Sequence, residues 1–364
     1  MVKTYRFNRK ELIDFAIRYM EKLGIPEEHA GIVADVMIEA DTRGVSSHGL
    51  IRLNTYYGSR LEKGYMNPKA DLKTISETDT TLLVDGDNGL GHIASSSAMK
   101  ACIQKAKKSN VALATVRHSN HFGIAAYYSM LALKEDMIGI SITNSQPLQA
   151  PTYGKSAILG TNPISVAAPS YKEYPYVLDM ATSVVPIGKI KVYEKKSEKI
   201  PLGWGIDDNG EVTDDPKQVK SGGPGALMPL GSTDIMRGYK GYGLALLVEI
   251  LCSTLSGAST LTEVGFPHEA RESDVSHFFM AINISAFRPV IDFKKQLDHT
   301  ISMLKASPKS EGQDRIYIAG EKEYEAYEYN TKKGVPIIDK VIEDLKRDGK
   351  RVGVPFDVEP VSVE

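Results

Sequence analysis

The stretch between residues 81 and 116 restricts the possible folds more than any other. Thr81-Leu-Leu-Val-Asp85 has the composition of a strand, and the loop Gly86-Asp-Asn-Gly89-Leu-Gly91-His92 follows it. Ala94 to Ser109 is rich in Ala and Lys and reads as a helix. Val111-Ala-Leu-Ala-Thr-Val116 is a second strand. A β–loop–α–β run of this kind argues for an α/β core. Further strands are expected at Met137–Thr143, Ile164–Ala168, Tyr176–Met180 and His277–Ile284. Helices are expected at Ile124–Lys134, 240–257, Pro289–Ala306 and Ile337–Asp348, and Arg315–Ala319 reads as strand-like.

The chain before this core is helical in pattern. Asn8 is placed to cap a first helix, with Glu11 completing a capping box and Leu12, Phe15, Ala16, Tyr19 and Leu23 on one face. Pro26 opens a second helix. A third is expected after His48-Gly49, capped by Ser46 or Ser47, with Leu50, Leu53 and Tyr57 turned inward. Residues 195–235 are a long polar loop centred on Gly222-Gly-Pro-Gly225. Residues 353–364 read as an acidic, β-branched tail without a core role.

Composition narrows the partners. The 364 residues are 42% hydrophobic, enough for one large core or two unequal ones. A net charge of -2 gives no basic field for nucleic acid. Cys102 and Cys252 sit in apolar helical contexts, which suits a reducing compartment. The N-terminus has no apolar secretory core. The most apolar stretch, Tyr242 to Leu255, is too short to span a bilayer and carries Glu249. A cytoplasmic protein without a membrane partner is expected.

Two histidine motifs carry the chemistry. Arg43-Gly-Val-Ser-Ser-His48-Gly-Leu-Ile-Arg52 places His48 and Arg52 at i and i+4 of the expected third helix, able to bind a carboxylate and exchange a proton. A polar helix start with a surface arginine is the plain alternative. Arg117-His118-Ser-Asn-His121-Phe-Gly123 follows a strand, where ligands gather in α/β sheets, and His121 there suits a general acid/base. Two other accounts compete: zinc held by His118 and His121, and a histidine pair that bonds loop carbonyls. The glycines at 86, 89 and 91 do not have G-x-G-x-x-G spacing, so that loop reads as a tight turn, not a dinucleotide fingerprint. Glycines and Lys240 opening the apolar helix at Lys240-Gly-Tyr-Gly243 offer a place for a phosphate-rich cofactor without a Rossmann loop.

Six motifs in order resemble one family. Arg43–Gly49, Ser119–Gly123, Gly160-Thr-Asn-Pro163, Leu178-Asp-Met-Ala-Thr-Ser183, Ile200-Pro-Leu-Gly-Trp204 and Lys240–Gly243 are similar to signatures of the type-2 malate/L-lactate dehydrogenases. The resemblance covers about residues 5–345. It implies a non-Rossmann three-layer α/β/α fold with a mixed sheet, whose helical N-terminal region packs with C-terminal segments. The expected parts are an N-terminal substrate and dimer region (1–75), a cofactor-binding α/β domain (76–288) and C-terminal segments returning to the first part (289–364). It also implies a homodimer with the active site near its interface.

The implied reaction is reversible hydride transfer between NAD or NADP and a small 2-hydroxy acid, with no metal. Malate/oxaloacetate is the first choice and L-lactate/pyruvate the second. Ureidoglycolate, sulfolactate, diketogulonate and cyclic imino acids are the family's other substrates. By position, His121 and His48 are implied as the proton-handling pair, with Arg52 and Ser47 on substrate. Ser145, Asp179, Met180, Ala181, Pro229, Leu230, Gly231, Lys240, Gly320 and Glu321 are implied as cofactor contacts. A dicarboxylate needs one more cation, for which Arg43, Arg117 and Lys240 are the candidates. A metal hydrolase and a non-catalytic nucleotide-binding protein are the competing classes.

Overall fold

The computed structural model describes residues 3–363. Its centre is a seven-stranded mixed sheet. In chain order the strands are β1 (Lys73–Glu77), β2 (Thr81–Asp85), β3 (Val111–Ser119), β4 (Met137–Thr143), β5 (Ile164–Ala168), β6 (Tyr176–Met180) and β7 (Val275–Asn283). In space they run β1-β2-β3-β7-β4-β5-β6. β2 and β3 are parallel, joined through the helix Gly91–Ser109, and every other neighbouring pair is antiparallel. Insertion of the late strand β7 between β3 and β4 makes the sheet unlike a Rossmann sheet, which is built from consecutive parallel strands.

Both faces of the sheet are covered. On β7, Phe279 and Ala281 pack with the helices Gly91–Ser109 and Ala125–Leu131. Phe278 and Met280 point the other way, against Val248 and Cys252 of the helical run that begins at Tyr239. The alternation follows from the two-residue period of a strand. Phe279 is fully buried, which contributes roughly 1.5–3 kcal/mol relative to an exposed side chain.

The second large core joins the two ends of the chain. Leu12, Phe15, Tyr19, Val33 and Met37 from the helices Arg9–Lys22 and Glu27–Thr42 pack with Val335, Ile342, Leu345 and Phe356. Asn8 caps the first helix, accepting from the N–H of Lys10 at 2.9 Å and of Glu11 at 3.4 Å. A small sheet ties the ends further, with Thr4–Phe7 between Val335–Ile338 and Pro360–Val363. The tail after 353 therefore has a core role that its sequence did not suggest: Val354, Phe356 and Val358 are all buried. Their alternate spacing matches an extended segment with one apolar side.

One other expectation is corrected. Arg315–Ala319 forms no strand, because its place in the fold is a loop that contributes one backbone bond, from Val177 N–H to Ala319 O at 3.1 Å. After it comes a helix, Glu321–Lys333, whose polar sequence gave no apolar periodicity. The helix Val290–Ala306 makes its ion pairs with Asp136, Glu173 and Glu321, beside the α/β sheet. No helix among the described residues is long and apolar enough to cross a membrane.

Candidate active site

The Gly86–Gly91 loop acts as a brace for the strand end that carries His121. The Asn120 side-chain amide donates to Asn88 O (3.1 Å) and Gly89 O (2.9 Å), and Asn88 N–H donates to His118 O (2.8 Å). A Cβ on Gly91 would lie 2.0 Å from Asn120 O, so glycine is required by this close approach. His118 adopts φ +48° and turns its Nδ1 to Asp85 Oδ2 at 2.8 Å, which also receives Arg117 Nε at 3.2 Å. His118 and His121 therefore do not converge on a common point. Among the described residues no group of three or more His, Cys, Asp or Glu side chains is arranged to hold a metal ion.

His121 lies in a cavity of about 860 Å³ together with Ser47, His48, Arg52, Tyr56, Ser145, Thr161 and Lys189. The His48 and His121 rings stack with centroids 5.4 Å apart and planes 17° apart. Each imidazole has its Nδ1 against a hydroxyl: His121 against Tyr57 Oη at 2.7 Å, His48 against Ser47 Oγ at 2.9 Å. Nε2 is the ring nitrogen left to each for chemistry. Burial lowers the His48 pKa to about 4, helped by Arg52. Burial also lowers His121 well below the ordinary histidine range, with the nearby charge of Arg52 adding to the effect. Both imidazoles are thus neutral near pH 7 and able to accept a proton.

The backbone that carries His48 and Arg52 differs from the expected helix. Ser46–His48 is a single 3₁₀ turn with no side-chain cap. Gly49 leaves the helical region at φ −87°, ψ −148°, and its backbone packs so closely on buried Asp41 that a Cβ would fall 2.0 Å from the carboxylate. Leu53–Gly58 then winds as a π-helix. Arg52 reaches the site because its Nε donates to Ser47 O at 2.8 Å, which leaves the terminal guanidinium nitrogens for a ligand. The tertiary approach of Gly49 to Asp41 overrides the i, i+4 relation read from the sequence.

A second layer supports the histidines. His277 on β7 lies parallel to Phe122, with ring centroids 4.7 Å apart, and contacts Ser119 Oγ (2.9 Å) and Thr143 Oγ1 (2.7 Å). Tyr57 is fully buried between Tyr56 and His92. Neither Tyr57 nor His277 stood out in the sequence. Tyr57 read as an inward-facing helix residue, and His277 as one residue of an ordinary strand.

The remaining expected residues fall into groups. Ser145 lines the cavity, and its Oγ accepts from Thr161 N–H at 3.0 Å. Thr161 O accepts from Thr182 N–H (2.8 Å), and Thr182 O from Leu230 N–H (2.8 Å). Gly241, next to Lys240, packs on Leu230 so closely that a Cβ would sit 2.3 Å from its carbonyl oxygen. Ser145, the Asp179–Ser183 strand end, the Pro229–Gly231 turn and the Lys240 helix start therefore form one hydrogen-bonded and packed series leading away from the cavity. Asp179 accepts from Ala126 N–H at 2.8 Å, holding the helix that follows His121. Gly320 and Glu321 stand apart. Gly320 (φ +89°) packs on Val177, and Glu321 is buried against Lys305 (2.8 Å), Arg315 (3.1 Å) and Ile318 N–H (3.0 Å).

The three cations considered for a second substrate carboxylate do not line the cavity. Arg43 pairs with Glu39 at 2.8 Å and lies over Tyr324 and Tyr327, Arg117 is held by Asp85, and Lys240 is exposed at its helix start. Lys189 does line it, from the first turn of the helix Ile187–Lys196 that Pro186 precedes.

A stacked histidine pair beside an arginine in a non-Rossmann mixed sheet is a narrow combination, and comparison with known proteins agrees with it. The family profile for malate/L-lactate dehydrogenase matches residues 7–346. The chain belongs to the malate/L-lactate dehydrogenase family. It is 47% identical to a malate dehydrogenase of Pyrococcus abyssi, over 96% of this chain and 95% of that one. It is 40% identical to an L-sulfolactate dehydrogenase of Methanocaldococcus jannaschii, over 95% and 96%. A crystal structure of malate dehydrogenase from Entamoeba histolytica superposes with a TM-score of 0.92 at 38% identity, covering 97% of this chain and 99% of that one. As a malate/L-lactate dehydrogenase the chain is an oxidoreductase acting on CH–OH groups with a nicotinamide cofactor. The cavity fits such a group: its volume is in the cofactor range, Leu148, Pro163, Pro186 and Ile187 offer apolar wall for a flat ring, and Ser145 and Thr161 offer hydroxyls.

Proposed function

We propose that this enzyme interconverts malate and oxaloacetate, with His121 as the principal acid/base. The observation that carries the reading is the stacking of His48 on His121 in one cavity with Arg52. Arg52 takes the C1 carboxylate through its terminal nitrogens, which fixes the reacting carbon. His121 Nε2 takes the hydroxyl proton during oxidation and returns it during reduction. His48 shares the proton, and Ser47 orients His48. A bound nicotinamide supplies the hydride acceptor or donor. Ser145, Ala181 and the Pro229–Gly231 turn form its protein side. Substrate carboxylate pairing with Arg52 removes part of the positive field that depresses His121, so the imidazole becomes a better base once substrate is bound.

Lys189 is assigned the second carboxylate of malate, which separates malate from lactate. The test is a panel of 2-oxo and 2-hydroxy acids, each with both NAD and NADP. The expected results are highest turnover with malate/oxaloacetate, at least a 100-fold loss of kcat in His121→Ala with the fold intact, and a larger rise in KM for oxaloacetate than for pyruvate in Lys189→Met. Full activity in His121→Ala removes His121 from the chemistry. An unchanged oxaloacetate KM in Lys189→Met removes Lys189. A clear preference for sulfolactate or another family acid overturns the malate assignment.

We also propose a homodimer. Leu246, Leu247, Ile250 and Leu255 are exposed along one helical run, and Ile235 (87% exposed) and Met236 are exposed in the chain just before it. A patch of this kind supports an interaction surface, and the helical run that carries it begins with Gly241 packed on Leu230, so the reading puts the partner toward the cofactor side of the site. Within each subunit we take 1–75 with the chain beyond about 320 as the substrate part, the proposed dimer face lying outside it. The intervening residues form the α/β part.

A further inference from the structure

A second cavity, of about 940 Å³, lies where the two ends of the chain meet. It shares no lining residue with the active-site cavity. Its walls come from the strand Thr4–Phe7, the start of the helix Arg9–Lys22, the end of the helix Glu321–Lys333 and the strand Pro360–Val363. Arg6, Arg9, Lys10, Lys332 and Lys333 line it, and no Asp or Glu does. In a chain of net charge -2 this is a local departure from the average surface.

The five cations have different surroundings. Arg6 is 7% exposed and held in place: its Nη1 donates to Asn330 Oδ1 and Gly334 O, each at 2.9 Å, and its guanidinium lies over the Tyr329 ring at 4.8 Å. Arg9 pairs with Asp35 and Glu39, which answer its charge. Lys10, Lys332 and Lys333 are exposed and make no ion pair among the described residues. The last turn of a helix favours cations, which accounts for Lys332 and Lys333 locally. Lys10 has no such reason, because it sits in the first turn of its helix, where the dipole disfavours a positive charge.

We propose that this cavity is a second ligand site, which takes a small polyphosphorylated anion. Arg6 gives the wall a positioned positive charge, and the lysines are mobile ammonium groups that reach phosphoryl oxygens from two helices. Thr331 and Ser362 add hydroxyls. A terminal phosphoryl group carries close to two charges and three acceptor oxygens, which suits three unpaired ammonium groups better than a carboxylate does. The volume exceeds what one phosphate fills, and Ile13 and Val361 offer apolar wall, so a phosphate chain or a nucleotide fits better than a single oxyanion. Binding there relieves the mutual repulsion of the lysines and so stabilises the fold.

The test uses the whole protein saturated with its nicotinamide cofactor, so that the cofactor site does not take the probe. Tripolyphosphate, ATP and citrate are titrated by calorimetry. Tripolyphosphate should bind with a Kd below about 1 mM, about tenfold or more tighter than citrate, and more weakly as salt is raised. ATP binding as tightly as tripolyphosphate assigns the site to the phosphate chain alone, and tighter ATP binding assigns it to a nucleotide. The double variant K332Q/K333Q should lose affinity by about tenfold or more, whereas Arg52→Met, in the other cavity, should not change it. In wild type, tripolyphosphate should also slow acetylation of Lys10, Lys332 and Lys333, read by mass spectrometry, and leave exposed Lys63 unaffected. No binding of tripolyphosphate or ATP up to about 10 mM overturns the proposal, as does unchanged affinity in K332Q/K333Q. Citrate binding as tightly as tripolyphosphate overturns the phosphate class. If the double variant does not fold, the wild-type labelling decides, and equal labelling with and without tripolyphosphate overturns the site. None of these readouts depends on which acid the enzyme turns over.

Discussion

Beneath the His48 turn lies Asp41, a buried carboxyl whose Oδ2 accepts from Leu50 N–H at 2.8 Å. Burial raises its pKa to about 8. A carboxyl raised in the folded state contributes stability below its unfolded pKa and loses it as pH rises toward the folded value. From about pH 4 to 8 Asp41 therefore destabilises the fold progressively, by at most about 1.4 kcal/mol per pH unit. Asp41→Asn keeps an acceptor for Leu50 and removes the charge. Its thermal unfolding midpoint should exceed that of wild type increasingly between pH 5 and 8, and parallel curves would contradict the assignment. The buried histidines act with the opposite sign. His92 and His277 are held near 3 and His48 near 4, so their contribution is full above pH 6.5 and is lost as pH falls. At this scale His48 and His121 were legible because each imidazole sits among glycine and small polar residues, where a core histidine gains little. Tyr57 was not legible. Its direction depends on the π-helix Leu53–Gly58, and a 3.6-residue period does not describe that winding.

Among the elements, the β2–helix–β3 unit was the easiest to read, since its strands are apolar and its loop is marked by glycines. The loop's use was not apparent. It clamps the end of β3 through Asn120, and Gly91 is the closest point of that contact. Gly91→Ala should destabilise the protein by about 1–3 kcal/mol and lower activity, because the shift needed at Asn120 carries the adjacent His121 with it. Chemical denaturation and the dehydrogenase assay check this, and wild-type values in both would show that the approach is not tight. The helix Glu321–Lys333 escaped the sequence reading for a different reason. Its sequence has no apolar stripe, and it is held by Arg43 stacked on Tyr324 and Tyr327 and by Asn330, which donates to Thr42 O at 2.8 Å. Contacts of that kind join residues about 280 positions apart and leave no local period.

For the whole molecule, the exposed apolar run from Leu246 to Leu255 is the feature a single chain does not explain. Ile250→Glu places a charge in the centre of the proposed dimer face. It should shift the protein to monomer in sedimentation velocity, whereas an unchanged dimer would place the interface elsewhere. Lost turnover on dissociation would add that the partner completes the site. The sequence alone determined the α/β class, the ordered family motifs and the two imidazoles, because composition, turn residues and short-range spacing are properties of neighbours in the chain. The tertiary structure decided that Arg52 and Lys189 line the cavity while Arg43, Arg117 and Lys240 do not, why Gly49 breaks the expected helix, and that residues 354–358 belong to the N-terminal core. Those outcomes follow from close packing between distant segments, where a few tenths of an ångström at a backbone contact outweigh local preference.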